Sequence, residues 1–217
     1  KGFTSRPGYD HFMTFAGVVQ LTSIMVLLHI GATENAEILE FDVTAAFLQA
    51  SVEPGTCTHI ITPSGIRSHP EYVNATRSLL AAGLYGTRSA AAQWQKLATV
   101  TLKSLGFTQT LSDECLFVRM EDDGTRTYLG MYVDDFIVVT HNRSLVEAQL
   151  KNAFEIGHEG ELQWILNMAI VRDRTNRNLI VHQGKIVRDA LRKFNYTEVK
   201  PRSTPLSAGQ YRRTAHG

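Results

Sequence analysis

Apolar residues recur along the chain at spacings typical of helices and strands. Helices are predicted over 12–33, over 89–105, after a cap at Asn142 or Ser144, and over 185–195. The second is the clearest, because Ala90, Trp94 and Ala98 share one face and Gly106 follows as a stop. The last helix has an apolar face that we expect to be buried, formed by Ile186, Ala190, Leu191 and Phe194.

Strand patterns separate these helices. Strands are predicted over 37–43, 58–62, 115–120, 127–133, 136–140, 163–172 and 178–182. The strands over 127–133 and 136–140 are close enough to form a tight hairpin, with Asp134 and Asp135 as its turn. Helices mixed with several antiparallel hairpins predict the α+β class rather than a doubly wound parallel sheet.

Composition fits a folded, core-forming chain. The 217 residues are 43% hydrophobic and 20% charged, which excludes disorder, collagen and coiled coil for the chain as a whole. No apolar run reaches the ~20 residues that a membrane span needs. We expect Cys57 and Cys115 to be reduced core residues of an intracellular protein. The chain opens without an initiator Met, so we expect it to be a piece of a longer protein.

Charge is distributed unevenly along the chain. Between Arg172 and Arg213 there are 11 Lys or Arg residues against 3 acidic residues, a net charge of +8. The formal net charge of the whole chain is +1, so the remainder carries −7. This asymmetry favours a polyanion contact beside a cation site, and its alternative is ordinary solvated surface charge.

Three aspartates stand at the ends of apolar strands. Asp42 follows the strand pattern over 37–41, and Asp134 and Asp135 lie between two apolar strands. Taken singly, each is typical of a cap or a turn. Taken together, they match the oxygen ligands that Mg²⁺ prefers. Two such ions ~4 Å apart can promote an in-line phosphoryl displacement. The pattern therefore has two alternative interpretations, caps or turns on the one hand and a metal site on the other.

Ordered motifs resemble the reverse transcriptases of the Ty1/copia retrotransposon type. The sequence Tyr-Val-Asp-Asp over 132–135 matches the Tyr-x-Asp-Asp hairpin of that family. Further matching blocks lie over 1–4, 41–48, 84–94, 112–118, 160–170 and 204–206. Because the blocks follow the order of the family and run nearly end to end, they carry much more weight than the tetrapeptide alone.

The resemblance implies a fold, an activity and partners. It implies a fingers–palm core over 1–217, with an antiparallel palm sheet and packed helices, cut from a longer polyprotein and largely without thumb and RNase H parts. It implies an RNA-directed DNA polymerase that uses two Mg²⁺ (or Mn²⁺) ions. The implied partners are an RNA or DNA template with its primer, a dNTP, and the integrase and RNase H parts of the polyprotein, but no membrane. The implied location is intracellular, in a cytoplasmic virus-like particle or the nucleus.

The resemblance also implies roles for single residues around the metal ions. Asp42 and Asp134 would ligate both ions, and Asp135 would complete the catalytic carboxylates. Val43 would offer its backbone carbonyl to the ion that holds the triphosphate. Phe47 would be a steric gate against a ribose 2′-OH, and its alternative is a core aromatic.

Further positions would contact the substrates. Tyr85 and Gly86 would border the incoming nucleotide. Tyr132 would pack near the terminal nucleotide of the primer, or else be an ordinary strand tyrosine. The primer-grip hairpin would be formed by Leu166, Asn167, Met168 and Ala169.

Several supporting positions depart from the family pattern. The substitutions fall at Thr44, Ser89, Ala91, Ala92, Asn167 and Ala169. Two hypotheses therefore compete: an active polymerase module, and a catalytically decayed or domesticated domain that binds nucleic acid or protein. The retained Asp42, Asp134, Asp135 and Phe47 favour the first hypothesis, and the substitutions favour the second.

Overall fold

The computed structural model describes residues 8, 14–52, 59–66, 69–70, 76–196 and 198. Its helices are α1 (Leu21–Thr33), α2 (Ala46–Gln49), α3 (Ala90–Ser104), α4 (Arg143–Ala153) and α5 (Gly184–Lys193). Its strands are β1 (Glu37–Val43), β2 (His59–Ile61), β3 (Arg77–Leu79), β4 (Thr108–Gln109), β5 (Leu116–Met120), β6 (Arg126–Tyr132), β7 (Asp135–Thr140), β8 (Ile156–Glu161), β9 (Trp164–Ile165), β10 (Met168–Asp173) and β11 (Asn178–His182).

A six-stranded antiparallel sheet forms the centre of the fold, in the order β4-β5-β6-β7-β1-β8. Smaller sheets are formed by β11-β10-β9 and by β2-β3. Mixed helices and antiparallel strands confirm the predicted α+β class. Strand β1 coincides with its prediction, whereas β3, β4 and α2 were not predicted because such short elements carry too little periodicity.

Strand β7 is covered on both faces, and for this reason its residues over 136–140 are all buried. Successive side chains of a strand point to opposite faces. On one face, Gly31 of α1 lies against Ile38 and Val139. On the other face, Phe136 packs against Trp94 of α3 and against Phe154. The end of β7 therefore stands on a rigid, two-sided core.

The first helix is shorter than the predicted 12–33. Residues 14–20 are not helical, and 12–13 lie outside the described residues. The backbone amide before α1 has a tertiary partner: the Gln20 amide donates to Asp113 Oδ2 at 2.9 Å. The same oxygen accepts a hydrogen bond from the Ser23 hydroxyl, in the first turn of α1, at 2.6 Å. The prediction was wrong here because a partner about 90 residues away in the chain decides where the helix begins.

Helices α3 and α4 confirm their predictions closely. Helix α3 buries Trp94 and Ala98, and Gly106 follows it with a φ of +88° that suits glycine. Leu102 is also buried, although the predicted face did not include it. At α4, the Asn142 side chain accepts a hydrogen bond from the Leu145 amide at 3.3 Å, so Asn142 is the cap rather than Ser144.

The chain forms two compact units. One comprises 1–163 with 172–179, and the other comprises 164–171 with 180–217. Helix α5 belongs to the second unit and has no buried residue, so the predicted burial of Ile186, Ala190, Leu191 and Phe194 was wrong. Amphipathic spacing predicted the helix correctly, but spacing does not specify a covering surface.

The predicted strand over 163–172 is interrupted by a turn. Leu166 and Asn167 have φ values of 47° and 63°, and they join β9 to β10 as a two-residue hairpin. Two positive φ values in succession match a type I′ turn. The continuous strand was wrong, and the hairpin that the motif resemblance implied at this place is present.

Part of the basic segment makes structural contacts within the first unit. Arg174 forms an ion pair with Glu37, and Arg172 donates to the Gly31 carbonyl oxygen at 2.8 Å. Arg177 donates to the Thr33 carbonyl oxygen at 3.2 Å. These three guanidinium groups therefore bind the chain itself, and the exposed cations of the described segment are concentrated on α5.

Two composition-based expectations concern burial. Cys115 is buried, as predicted for a core cysteine, whereas Cys57 lies outside the described residues. Among the described helices, none combines the length and apolar character that a membrane crossing requires.

Candidate active site

The central sheet brings two of the three aspartates to one edge. Asp42 is the last residue but one of β1, directly before Val43, and Asp135 begins β7; the two aspartates are direct Cα partners in the antiparallel pair. Asp134 lies in the turn directly before β7, and its carbonyl oxygen accepts a hydrogen bond from the Val43 amide at 2.9 Å. Residues about 90 positions apart in the chain are thus fixed side by side by backbone pairing.

The turn that carries Asp134 is shifted by one residue from the prediction. Tyr132 pairs with Asp135, so the two turn residues are Val133 and Asp134 rather than Asp134 and Asp135. Val133 has a φ of 57°. A β-branched residue rarely adopts this left-handed conformation, and it persists only where the surroundings enforce it.

The carboxyl group of Asp135 holds its proton more tightly than that of a free aspartate. Desolvation, followed by the charges of Asp134, Asp42 and Glu40, raises the pKa of Asp135 to about 6. No ion pair between described residues involves any of the three aspartates. The edge therefore carries negative charge that no basic side chain of the described residues neutralises.

Glu40 adds a fourth carboxylate beside the three aspartates, and the imidazole of His158 lies next to Glu40; the sequence analysis missed both residues. Glu40 lies two residues before Asp42, so both side chains point to the same face of β1. That spacing was a usable signal. His158 is the cross-strand partner of Asp42 on β8, and its Nε2 lies 3.6 Å from Glu40 Oε1. No local pattern could have revealed His158, because the pairing of β1 with β8 is tertiary.

A β-bulge lies beside Asp42. Asp42 pairs with His158 and Val43 pairs with Ile156, which leaves Gly157 as the extra residue. A Cβ atom at Gly157 would stand 2.5 Å from Thr44 Oγ1 and 3.3 Å from Asp42 Oδ2. Only glycine lets β8 approach these two side chains so closely.

The donor chemistry fits a hard divalent cation, but the carboxylates are not gathered around a common point. Carboxylate oxygens without a basic partner are the ligands that Mg²⁺ prefers. Within the described residues, no group of three or more His, Cys, Asp or Glu side chains is close enough together to hold a metal ion. The three aspartates are neighbours in the sheet, and binding of a cation requires their side chains to converge.

Aromatic residues border the same edge. The ring of Tyr85 lies 4.5 Å from the ring of Phe47, centroid to centroid, and Tyr85 is 52% exposed. Desolvation and then the charges of Asp134 and Asp42 raise the pKa of Tyr85. This coupling puts the Tyr85 hydroxyl in the electrostatic field of the carboxylates.

The backbone at Gly83 packs closely against the backbone at Phe47. A Cβ atom at Gly83 would lie only 2.6 Å from the Phe47 carbonyl oxygen. Gly86 has a φ of +89°, which turns the chain after Tyr85 at a conformation that glycine tolerates best. The structure thus brings the rings of Phe47 and Tyr85 together, and Gly86 directly follows Tyr85 in the chain.

Comparison with known proteins decides the family. Residues 1–208 match the family model described as "Reverse transcriptase (RNA-dependent DNA polymerase)". The chain belongs to this family. The "Retrovirus-related Pol polyprotein from transposon TNT 1-94" of Nicotiana tabacum is 32% identical over 210 residues, which cover 95% of this chain and 16% of that protein. These matches confirm the resemblance to Ty1/copia reverse transcriptases.

Two further relatives come from Arabidopsis thaliana. The Pol polyproteins from transposons RE1 and RE2 are 29% and 28% identical over 212 residues, covering 95% of this chain. The chain spans only 14–16% of the length of these relatives. It is a reverse transcriptase domain of the Ty1/copia type.

Some of the substituted positions of this reverse transcriptase domain are buried in the fold. Ser89 and Ala92 are both 7% exposed, and the Ser89 hydroxyl accepts a hydrogen bond from Gln93 Nε2 at 3.3 Å. The Thr44 amide donates to the Glu155 carbonyl oxygen at 2.8 Å. Small side chains therefore serve the packing at Ser89 and Ala92.

The predicted primer-side residues of the domain are divided between the two units. Tyr132 is half-buried at the end of β6, directly opposite Asp135. Leu166 and Asn167 form the turn of the β9–β10 hairpin in the second unit, and Met168 is the first residue of β10. The predicted hairpin is therefore present within its own unit.

Proposed function

We propose that this domain is an RNA-directed DNA polymerase module that transfers a nucleotide from a dNTP to the 3′-OH of a primer. The observation that carries the proposal is the pairing of Asp42 with Asp135 beside the Asp134 turn, in a member of the reverse transcriptase family. The central sheet with its helices would be the palm of a fingers–palm core.

The carboxylates of Asp42, Asp134 and Asp135 would hold two Mg²⁺ or Mn²⁺ ions, together with the Val43 carbonyl. The bound ions would supply charge neutralisation and activation of a hydroxyl nucleophile. After desolvation, the charges of Asp134, Asp42 and Glu40 contribute to the raised pKa of Asp135, and a divalent cation would relieve that repulsion. The chain itself contributes fixed backbone positions, and the side chains would have to converge from these positions to hold the ions.

The aromatic pair would select the sugar of the incoming nucleotide. Phe47 would leave no room for a ribose 2′-OH, and its contact with Tyr85 restrains the ring in that position. Tyr85 and Gly86 would border the nucleotide. The charge coupling of Tyr85 to Asp134 and Asp42 supports a place between nucleotide and carboxylates.

Template and primer would be bound mainly through their phosphates. Tyr132 would contact the primer terminus, and the hairpin of Leu166, Asn167 and Met168 would be the primer grip. Lys185, Arg188 and Lys193 on the exposed α5 would contribute to a salt-sensitive backbone contact. The integrase and RNase H parts of a parent polyprotein would be further partners, in a virus-like particle or the nucleus.

A second candidate function is binding of nucleic acid or protein without polymerisation. It is favoured by the substitutions at Ser89, Ala91 and Ala92, and by the lack of convergence among the His, Cys, Asp and Glu side chains of the described residues. The two candidates differ in one measurable property. A polymerase needs a divalent cation at Asp134, whereas a binding domain does not.

Primer extension on an RNA template tests the proposal. The full 217-residue chain is given labelled dNTPs with Mg²⁺ or Mn²⁺, beside Asp134→Asn and the matched control Asp122→Asn. Asp122 is an exposed aspartate in the β5–β6 turn. We expect extension by the wild type and Asp122→Asn, and none by Asp134→Asn, while all three bind template–primer equally.

Extension that survives Asp134→Asn would refute the assigned role of the turn. Salt-sensitive template–primer binding by the wild type without extension, and without Mn²⁺ binding in a titration, would establish the second candidate instead.

A further inference from the structure

The indole of Trp94 binds the turn that carries Asp134. Trp94 Nε1 donates a hydrogen bond to the Val133 carbonyl oxygen at 2.6 Å. Trp94 is 1% exposed. The donor therefore comes from the core, where a short hydrogen bond faces little competition from water.

An aromatic cluster fixes the direction of this donor. The Trp94 ring is nearly parallel to the ring of Phe136, with centroids 6.4 Å apart and an interplanar angle of 9°. Phe154 packs edge-on against both, at 5.8 and 5.2 Å. Because the rings restrain one another, the indole cannot turn away without disrupting the core.

Both carbonyl groups of the two-residue turn have partners. Trp94 holds the Val133 carbonyl, and the Val43 amide holds the Asp134 carbonyl at 2.9 Å. Val133 adopts its unfavourable φ of 57° between these anchors. A strained residue keeps its conformation only where its surroundings specify it, and the indole hydrogen bond is one such constraint.

We infer that Trp94 is a positioning residue that holds Val133 in the left-handed conformation and thereby aims the Asp134 carboxylate. This inference rests on the proposed function for its catalytic consequence, and on the geometry alone for its structural part. It gives the tryptophan of the 84–94 motif a role that its helical periodicity does not suggest, since any large apolar residue would fill the same face.

The sharpest test removes the donor and keeps the shape. Incorporation of 3-(3-benzothienyl)alanine at position 94 replaces the indole N–H by sulfur in an otherwise similar bicycle. Phe154→Leu is the matched control, because it disturbs the same cluster and leaves the N–H in place. Trp94→Phe serves as the encoded counterpart, and thermal unfolding checks that each variant is folded.

NMR tests the structural part without reference to activity. In the wild type we expect the Trp94 indole proton to exchange slowly and that of the exposed Trp164 to exchange fast, with Trp164→Phe giving the assignment. In the benzothienyl variant, the Val133 and Asp134 backbone signals should move, whereas Phe154→Leu should move them little. Fast exchange at Trp94, or unchanged turn signals in the benzothienyl variant, would overturn the inference.

Primer extension tests the catalytic consequence. Displacement of a reacting group can cost up to about 100-fold in rate, so for loss of one anchor we expect kcat to fall about tenfold, with little change in KM for dNTP or in template–primer binding. Unchanged kcat beside moved turn signals would overturn the aiming of Asp134. A wild type without Asp134-dependent extension would count against the proposed function, and the NMR result would still decide the structural part.

Discussion

Substitution of Gly157 by alanine tests how closely the β8 bulge supports Asp42. The new Cβ would stand 2.5 Å from Thr44 Oγ1, about 0.9 Å short of the 3.4 Å at which ordinary contacts begin. It would also crowd Asp42 Oδ2 at 3.3 Å. Either the Thr44 hydroxyl rotates, or β8 moves away from β1 at the place where Asp42 is held.

The magnitude follows from two opposing effects. Overpacking of this kind costs about 1–3 kcal/mol, and replacing glycine within a strand recovers about 0.5–1 kcal/mol of backbone entropy. The difference is a net loss of roughly 0–2.5 kcal/mol, and about 1 kcal/mol at its midpoint. For a chain of this length, a loss of about 1 kcal/mol lowers Tm by about 2–4 °C. Primer extension should fall as well, because Asp42 is displaced.

Gly160→Ala is the matched control on the same strand. The nearest atom to its new Cβ is His158 Nε2 at 3.8 Å, an ordinary contact, so Tm should not fall. Thermal unfolding by circular dichroism compares the two variants. Adding Thr44→Ala to Gly157→Ala removes the clashing hydroxyl and should restore most of the lost Tm. Equal Tm values for the two glycine variants, or no rescue by Thr44→Ala, would refute this reasoning.

Two further predictions concern titration and thiol reactivity. Desolvation and neighbouring carboxylates raise the pKa of Asp135 from 3.8 to about 6, so its protonation stabilises the fold fully below about pH 4, and this contribution is lost as the pH rises through 6. In calorimetry without divalent cations, the Tm of the wild type should therefore fall relative to the Tm of Asp135→Asn as the pH rises from about 4 through 6. A Tm difference that does not change with pH would contradict this prediction. Burial raises the pKa of Cys115 to about 11, so its thiol should react with Ellman's reagent far more slowly in the native than in the unfolded protein. A Cys57→Ser background leaves Cys115 as the only thiol for this measurement. Equal rates would count against a buried thiol.

Local pattern was sufficient for elements that are long and regular. Strand β1 and helices α3 and α4 follow from alternation, helical spacing and caps, because those signals act within a few residues of one another. The first helix shows where this fails. Its start is decided by Asp113, which accepts hydrogen bonds from Gln20 and Ser23 across the fold.

The candidate site shows the same division. The ordered series of motif blocks, which includes the two Asp motifs, led to the reverse transcriptase family, and the comparisons confirm it. The shift of the turn to Val133 and Asp134, and the left-handed φ of Val133, could not be predicted from sequence alone. Strand register sets the first, and the second is set by anchors from Trp94 and Val43.

The amino-acid sequence by itself determined the family and the α+β class, and it supplied the residues that we propose for the chemistry, because motifs and periodicities are local properties of the chain. Only the tertiary structure decided that Asp42 pairs with Asp135. It also decided that β8 passes so close to Thr44 that position 157 has no room for a Cβ atom, and that the apolar face of α5 is not buried. These features depend on strand pairing and packing between segments distant in the chain. Such contacts leave no periodic signal in either segment alone.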